Sequence, residues 1–156
     1  MDPFTSEILK AINPEAPVPQ AARKDAHKDS AIHLDHWSAA ILLERGAYLR
    51  KLARQGDGSA SETLREYPLH STMLSFRGRD GLAELHANFA DIFVVLDGRA
   101  TLVTGGTVAG AETIAPGEVR GATIEGGERR ELRGGDVAHV PAGLPHQMLV
   151  PGDKTF

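Results

Sequence analysis

A chain of 156 residues with 41% hydrophobic content can bury one sizeable core, and its length suits one main domain. The formal net charge of -4 and the lack of a long Lys/Arg run argue against nucleic acid or an anionic membrane as partner; no apolar stretch approaches the roughly 20 residues of a membrane helix, so a soluble chain is expected. With no cysteine, disulfides, thiolate metal sites and cysteine nucleophiles are excluded, while the compartment stays open.

Met1-Asp2-Pro3-Phe4-Thr5 reads as a vector-derived leader. The expected localisation is therefore cytoplasmic or, if a native signal peptide has been replaced, periplasmic or secreted. From Ile12 to Lys28, the spacing of Pro14, Pro17 and Pro19 among alanines and charges predicts an extended or disordered arm. Between Ser38 and Gln55, Ile41, Leu42, Tyr48, Leu49 and Leu52 recur at the spacing of one helical face. Gly46 leaves one helix or two short ones open, since glycine inside a helix costs about 1 kcal/mol relative to alanine; Gly56-Asp57-Gly58 is a natural stop. The chain thus divides into a leader and arm (1–30), a helical segment (31–60) and a β domain (61–156).

After Pro68 the texture changes to short β-rich runs punctuated by glycine, as in an all-β sandwich or barrel. Ile92 to Leu96, then Asp97-Gly98, then Arg99 to Val103 predicts a two-residue hairpin, because Asp-Gly supplies the positive φ angles of that turn. Further strands are expected near Ser71 to Arg77, Leu82 to Asn88, Val119 to Glu125, Arg129 to Arg133, Val137 to Val140 and His146 to Val150.

Strand alternation places Leu82, Glu84, His86 and Asn88 on one face and Ala83, Leu85 and Ala87 on the other. Alone, a Glu-x-His pair is more often the solvent face of a half-buried strand. A second cluster shifts the balance: in Gly135-Asp136-Val137-Ala138-His139-Val140-Pro141-Ala142-Gly143-Leu144-Pro145-His146, a glycine-started strand and a Pro/Gly turn deliver a histidine onto the next strand. The glycine pairs Gly105-Gly106 and Gly126-Gly127 lack the residues of a phosphate loop, and no serine sits in a G-x-S-x-G turn.

These two segments resemble the paired motifs of the cupin superfamily, G-x5-H-x-H-x3-4-E-x6-G and G-x5-P-x-G-x2-H-x3-N, over about the last half of the chain. Gly135, Pro141, Gly143 and His146 match the second, with Val150 where the family has Asn. Gly78, His86, Asp91 and Gly98 match the first when Glu84 takes the first-His position and Asp91 replaces Glu. A register with His86 first and Asn88 second leaves too short a gap before Asp91.

The resemblance implies a small all-β, cupin jelly-roll β-barrel with an N-terminal arm and a helical segment. It implies that Glu84, His86, Asp91 and His146 converge on one divalent metal ion, with Mn, Fe, Zn, Ni or Co suited to the mixed O/N set. The alternative is a barrel that has lost its metal, leaving two carboxylates buried side by side. Asn88, His70, His139 and Gln147 are candidate substrate-binding residues; no residue is assigned as catalytic, and His27, His33 and His36 are given no role. The expected function is a metal-dependent enzyme, an oxygenase, isomerase or lyase, acting on a small oxygen-bearing molecule; the alternative is a non-catalytic small-molecule-binding or sensing module. The expected partners are a small-molecule ligand or substrate and a second copy in a homodimer, with no nucleic acid and no membrane.

Overall fold

The computed structural model describes residues 34–151; the expected leader and arm lie outside them. The unit that carries the strands begins at Ser38. Among the described residues, no helix is long and apolar enough to cross a membrane.

The helix α1 spans Ala39–Gln55. Ser38 caps it, its hydroxyl accepting the Ile41 N–H at 3.3 Å, which satisfies one of the unpaired N–H groups of the first turn. Gly46 does not break it. α1 packs on the antiparallel pair β1 (Ser59–Glu66) and β2 (Ser71–Arg77), burying Leu49 and Ala53. The Arg45 guanidinium holds Glu62 of β1 with two bonds, at 2.6 and 2.5 Å. β1 thus precedes Pro68, earlier than expected: its sequence SASETLRE is mostly polar and alternates only weakly, so its strand character comes from pairing with β2.

The remaining strands are β3 (Ala83–His86), β4 (Asp91–Val94), β5 (Arg99–Thr104), β6 (Thr107–Ala109), β7 (Glu112–Ala115), β8 (Glu118–Gly121), β9 (Thr123–Glu125), β10 (Glu128–Arg133), β11 (Val137–Val140) and β12 (His146–Leu149). β7 and β8 meet at Pro116-Gly117, where Gly117 takes a φ of +81°, a conformation open to glycine without steric cost. Outward from that turn the pairing is nested and antiparallel: β6 with β9, β5 with β10, β4 with β11. The pairs are distributed over a six-stranded sheet of order β10-β5-β12-β3-β8-β7 and the two-stranded β4–β11 and β6–β9. The fold is β-rich, and its described strands do not close into a continuous barrel.

This nesting overturns the expected hairpin at Asp97-Gly98. β4 and β5 are consecutive stretches of one arm, so each pairs with the other arm and not with its neighbour. At the corner Val95 N–H donates to Asp136 O and Gly135 N–H to Val95 O, while Gly134 N–H donates to Gly98 O. Of the two turn residues only Gly98 has a positive φ, +88°, so the two positive angles of a type I′ turn are absent. The expected strand from Val119 to Glu125 is likewise two strands, since β8 pairs with β3 and β7 but β9 pairs with β6.

The middle of the six-stranded sheet is covered on both faces. Leu102 and Met148 belong to one core with Ala100, Leu132, Val140 and Phe93, which seats β4–β11 on the sheet. Their strand neighbours Val103 and Leu149 face the other way, into a core with Ala83, Ile124 and Val108 that seats β6–β9.

Candidate metal centre

Strand alternation sets up the site. Ala83 is buried in the β6–β9 core, so Glu84 and His86 project from the opposite face of β3, toward β4–β11. His146 is the direct cross-strand partner of Glu84, delivered at the start of β12 after Pro141-Ala142-Gly143-Leu144-Pro145. On β4, Phe93 packs into the core while Ile92 and Val94 are exposed; Asp91, two residues before Phe93, therefore shares its inward side. Four side chains from three strands meet between the sheet and the ribbon.

Glu84, His86 and His146 each bring one donor atom to a common point, all within 4.8 Å of one another. They lie close enough to bind a metal ion. His86 Nε2 is 3.4 Å from Glu84 Oε2 and 3.4 Å from Asp91 Oδ2, and His146 Nε2 is 3.9 Å from Glu84 Oε2 and 2.9 Å from Asp91 Oδ2. With metal–ligand distances of about 2.1 Å, adjacent donors of an octahedral or tetrahedral centre stand about 3.0 or 3.4 Å apart; the 2.9 and 3.4 Å spacings match that, and the 3.9 Å one is wider.

Both imidazoles have one nitrogen already committed. His86 Nδ1 lies 2.6 Å from Glu118 Oε2 and His146 Nδ1 lies 3.2 Å from the Leu144 carbonyl. Each partner is an acceptor, so each Nδ1 carries a proton, and in the neutral ring each Nε2 offers a lone pair to the shared point, the arrangement of metal-binding histidines. His146 is 3% exposed; its Nε2 stands 2.9 Å from Asp91 Oδ2, close enough for the carboxylate to shift the pKa of both groups, yet it makes no hydrogen bond of good geometry among the described residues. With the ring neutral, that lone pair faces a carboxylate oxygen, and a cation at the shared point would satisfy both. The residues therefore fit a divalent ion on geometry, tautomer and charge.

Without a metal the carboxylates favour the charged form of His146. Burial pushes the His146 imidazolium down, but the Asp91 carboxylate, the Leu144 carbonyl and the Glu84 charge outweigh it and leave its pKa above the ordinary imidazole value. His146 holds Asp91 below the usual carboxylate range against the opposing effect of burial, with His86 and Arg120 adding to it. Phe93 closes one side of the cluster, its ring edge-on to His146 at 6.0 Å.

Two residues of the site went unread in the sequence, Glu118 and Arg120. They stand on β8 directly opposite His86 and Glu84, with Arg120 Nε 3.8 Å from Glu84 Oε1 and Nη1 3.7 Å from Glu118 Oε2. The alternation Glu118-Val119-Arg120 marks them as sharing a face; which strand they would join was not written locally.

The four expected substrate-binding residues lie elsewhere. Gln147 is buried on the opposite face of β12 from His146, and its amide is fully used: it accepts the Ile124 N–H at 3.1 Å and the Thr123 hydroxyl at 3.2 Å, and donates to the Gly81 and Ala122 carbonyls. His139 is exposed between Ala138 and Val140, which face the core. His70 sits at the β1–β2 turn, stacked on Tyr67 at 4.3 Å. Asn88 lies beyond the end of β3, exposed, its amide against Gly117.

No family model, curated protein or solved structure matches this chain. The functional argument therefore rests on the site.

Proposed function

We propose that this chain is a metal-dependent cupin-like protein whose centre is held by Glu84, His86, Asp91 and His146, and that it acts on a small oxygen-bearing molecule. The observation that carries the reading is the convergence of two Nδ1-protonated imidazoles on a carboxylate, with the buried Nε2 of His146 left without a hydrogen bond. The nested pairing of β4–β7 with β8–β11 supports the jelly-roll reading, since a jelly roll is a long antiparallel ribbon folded over into two sheets.

Two imidazoles and two carboxylates make an N₂O₂ set suited to Mn, Fe, Zn, Ni or Co. A metal there would polarise an oxygen of the ligand or activate water. The chain's own contributions are to hold both imidazoles in one tautomer through Glu118 and Leu144, and to shield one side with Phe93. The two open edges of β4–β11, with Ile92, Val94 and Val137 exposed on its outer face, support the accompanying proposal of a homodimer.

Elemental analysis of protein purified without chelator or affinity metal tests the centre. Near-stoichiometric metal in the wild type, lost in both His86→Ala and His146→Ala, is the expected result. A wild type that neither carries metal nor takes it up on reloading rejects it. Tight ligand binding by the loaded protein without turnover would favour the binding-module function over the enzyme.

A further inference from the structure

We infer that Arg120 is the carboxylate anchor of this centre, so that its ligand is a small organic acid that also offers a second oxygen toward the metal position. The inference rests on the metal reading above and names the class of ligand that the same site takes.

Among the described residues Arg120 stands beside the carboxylates of Glu84 and Glu118 yet hydrogen-bonds to neither. Its approaches to Glu84 and Glu118, at 3.8 and 3.7 Å, are ion-pair distances too long for hydrogen bonds. Of the five N–H donors of a guanidinium, the only hydrogen bond among the described residues is from Nη1 to the Val119 carbonyl at 3.2 Å. Glu112, its cross-strand neighbour on β7, is exposed and forms no ion pair with it. The guanidinium is thus held in place by charge with its planar fork unspent, and at 26% side-chain exposure it is open to a ligand.

The charge balance points the same way. Glu84, Asp91 and Glu118 carry three negative charges; a divalent ion and Arg120 supply three positive ones, with both imidazoles neutral. Without Arg120 the loaded site would be negative and would repel an anion. With it the site is neutral overall and presents a fork matched to the two oxygens of a carboxylate. Glu84 links the two positions, with Oε1 toward Arg120 and Oε2 toward His86 Nε2, so a bridging ligand need be only a few atoms long. A 2-oxo or 2-hydroxy acid has that span.

The test titrates Mn(II)-loaded protein calorimetrically with pyruvate and lactate, and with their neutral amides pyruvamide and lactamide. In the wild type at least one acid binds about tenfold or more tightly than its amide. Arg120→Gln and Arg120→Lys keep one Mn(II) per chain and lose that preference, the lysine variant because it keeps the charge without the fork. Loaded wild type that binds neither acid, or variants that retain the preference, overturn the inference while leaving the metal reading intact. Loss of Mn(II) in both Arg120 variants also overturns it, assigning Arg120 to holding the ligand carboxylates in place. A wild type that takes up neither Mn(II) nor any of Fe(II), Co(II), Ni(II) and Zn(II) removes the metal reading and the inference together.

Discussion

His146 and Glu84 are direct cross-strand partners, one opening β12 and the other in the middle of β3, and their functional atoms end 3.9 Å apart. That pairing brings the two sequence segments, separated by most of the β domain, to one point. It also gives the centre a rigid base, since both residues stand on strands of the same sheet and not on loops.

Metal should stabilise the folded chain through these residues. At a hundredfold excess over Kd the linkage is about 2.7 kcal/mol, which raises Tm by roughly 5–10 °C for a domain of this size. Differential scanning calorimetry with and without added Mn(II) or Zn(II) reads the shift. His86→Ala and His146→Ala should each abolish it; an unchanged shift in both variants would place the bound metal elsewhere.

Glu118 should matter to metal affinity without touching the metal. Its contact with His86 Nδ1 at 2.6 Å fixes the tautomer that frees Nε2, and loss of such an orienting partner typically weakens metal binding by about 10–100-fold. Glu118→Gln keeps an acceptor but removes the charge, so about a tenfold loss is expected by competition against a chelating dye. An affinity equal to that of the wild type would show that His86 is oriented by the backbone alone.

Protons should compete with metal at His146. Its raised pKa in the metal-free protein means that affinity begins to fall, as pH is lowered, at a higher pH than for an ordinary histidine. The metal-free protein has its own dependence. The raised His146 pKa contributes stability that is complete below the unfolded value and lost as pH rises through the folded one. The lowered Asp91 pKa contributes stability that is present above the unfolded value and lost as pH falls through the folded one. Their joint contribution is therefore fullest between about pH 4 and pH 6.5. Urea denaturation of metal-free wild type and Asp91→Asn across pH 3–9 measures it; parallel curves would dismiss the pair as a source of pH dependence.

Gln147 should separate stability from binding. Replacing it with alanine strips the Ile124 N–H of its acceptor and the Gly81 and Ala122 carbonyls of their donor, at a cost of roughly 2–4 kcal/mol. The urea midpoint should drop accordingly, while the folded fraction binds metal as the wild type does. A Gln147→Ala protein of full stability but weakened metal binding would reverse this assignment.

What was legible in the sequence was local. The helix and its glycine stop follow from neighbouring residues. So does the common face of Glu84 and His86, because strand alternation needs no knowledge of the partner strand. The Pro141 to Pro145 turn likewise announced that His146 would be delivered rigidly, and the spacing from Gly78 to Gly98 singled out Asp91. The tertiary structure alone decided which strands pair. Asp97-Gly98 looks like a hairpin locally, yet the long-range ladder of β4 with β11 and β5 with β10 supplies more hydrogen bonds than the turn can, and the local preference yields. The same long-range pairing set β8 beside β3, bringing Glu118 and Arg120 to the site, and placed Thr123, Ile124 and Gly81 around Gln147, which alternation turns away from His146. A side chain's face is fixed by the two-residue repeat of its own strand; what it faces depends on hydrogen bonds to strands dozens of residues away.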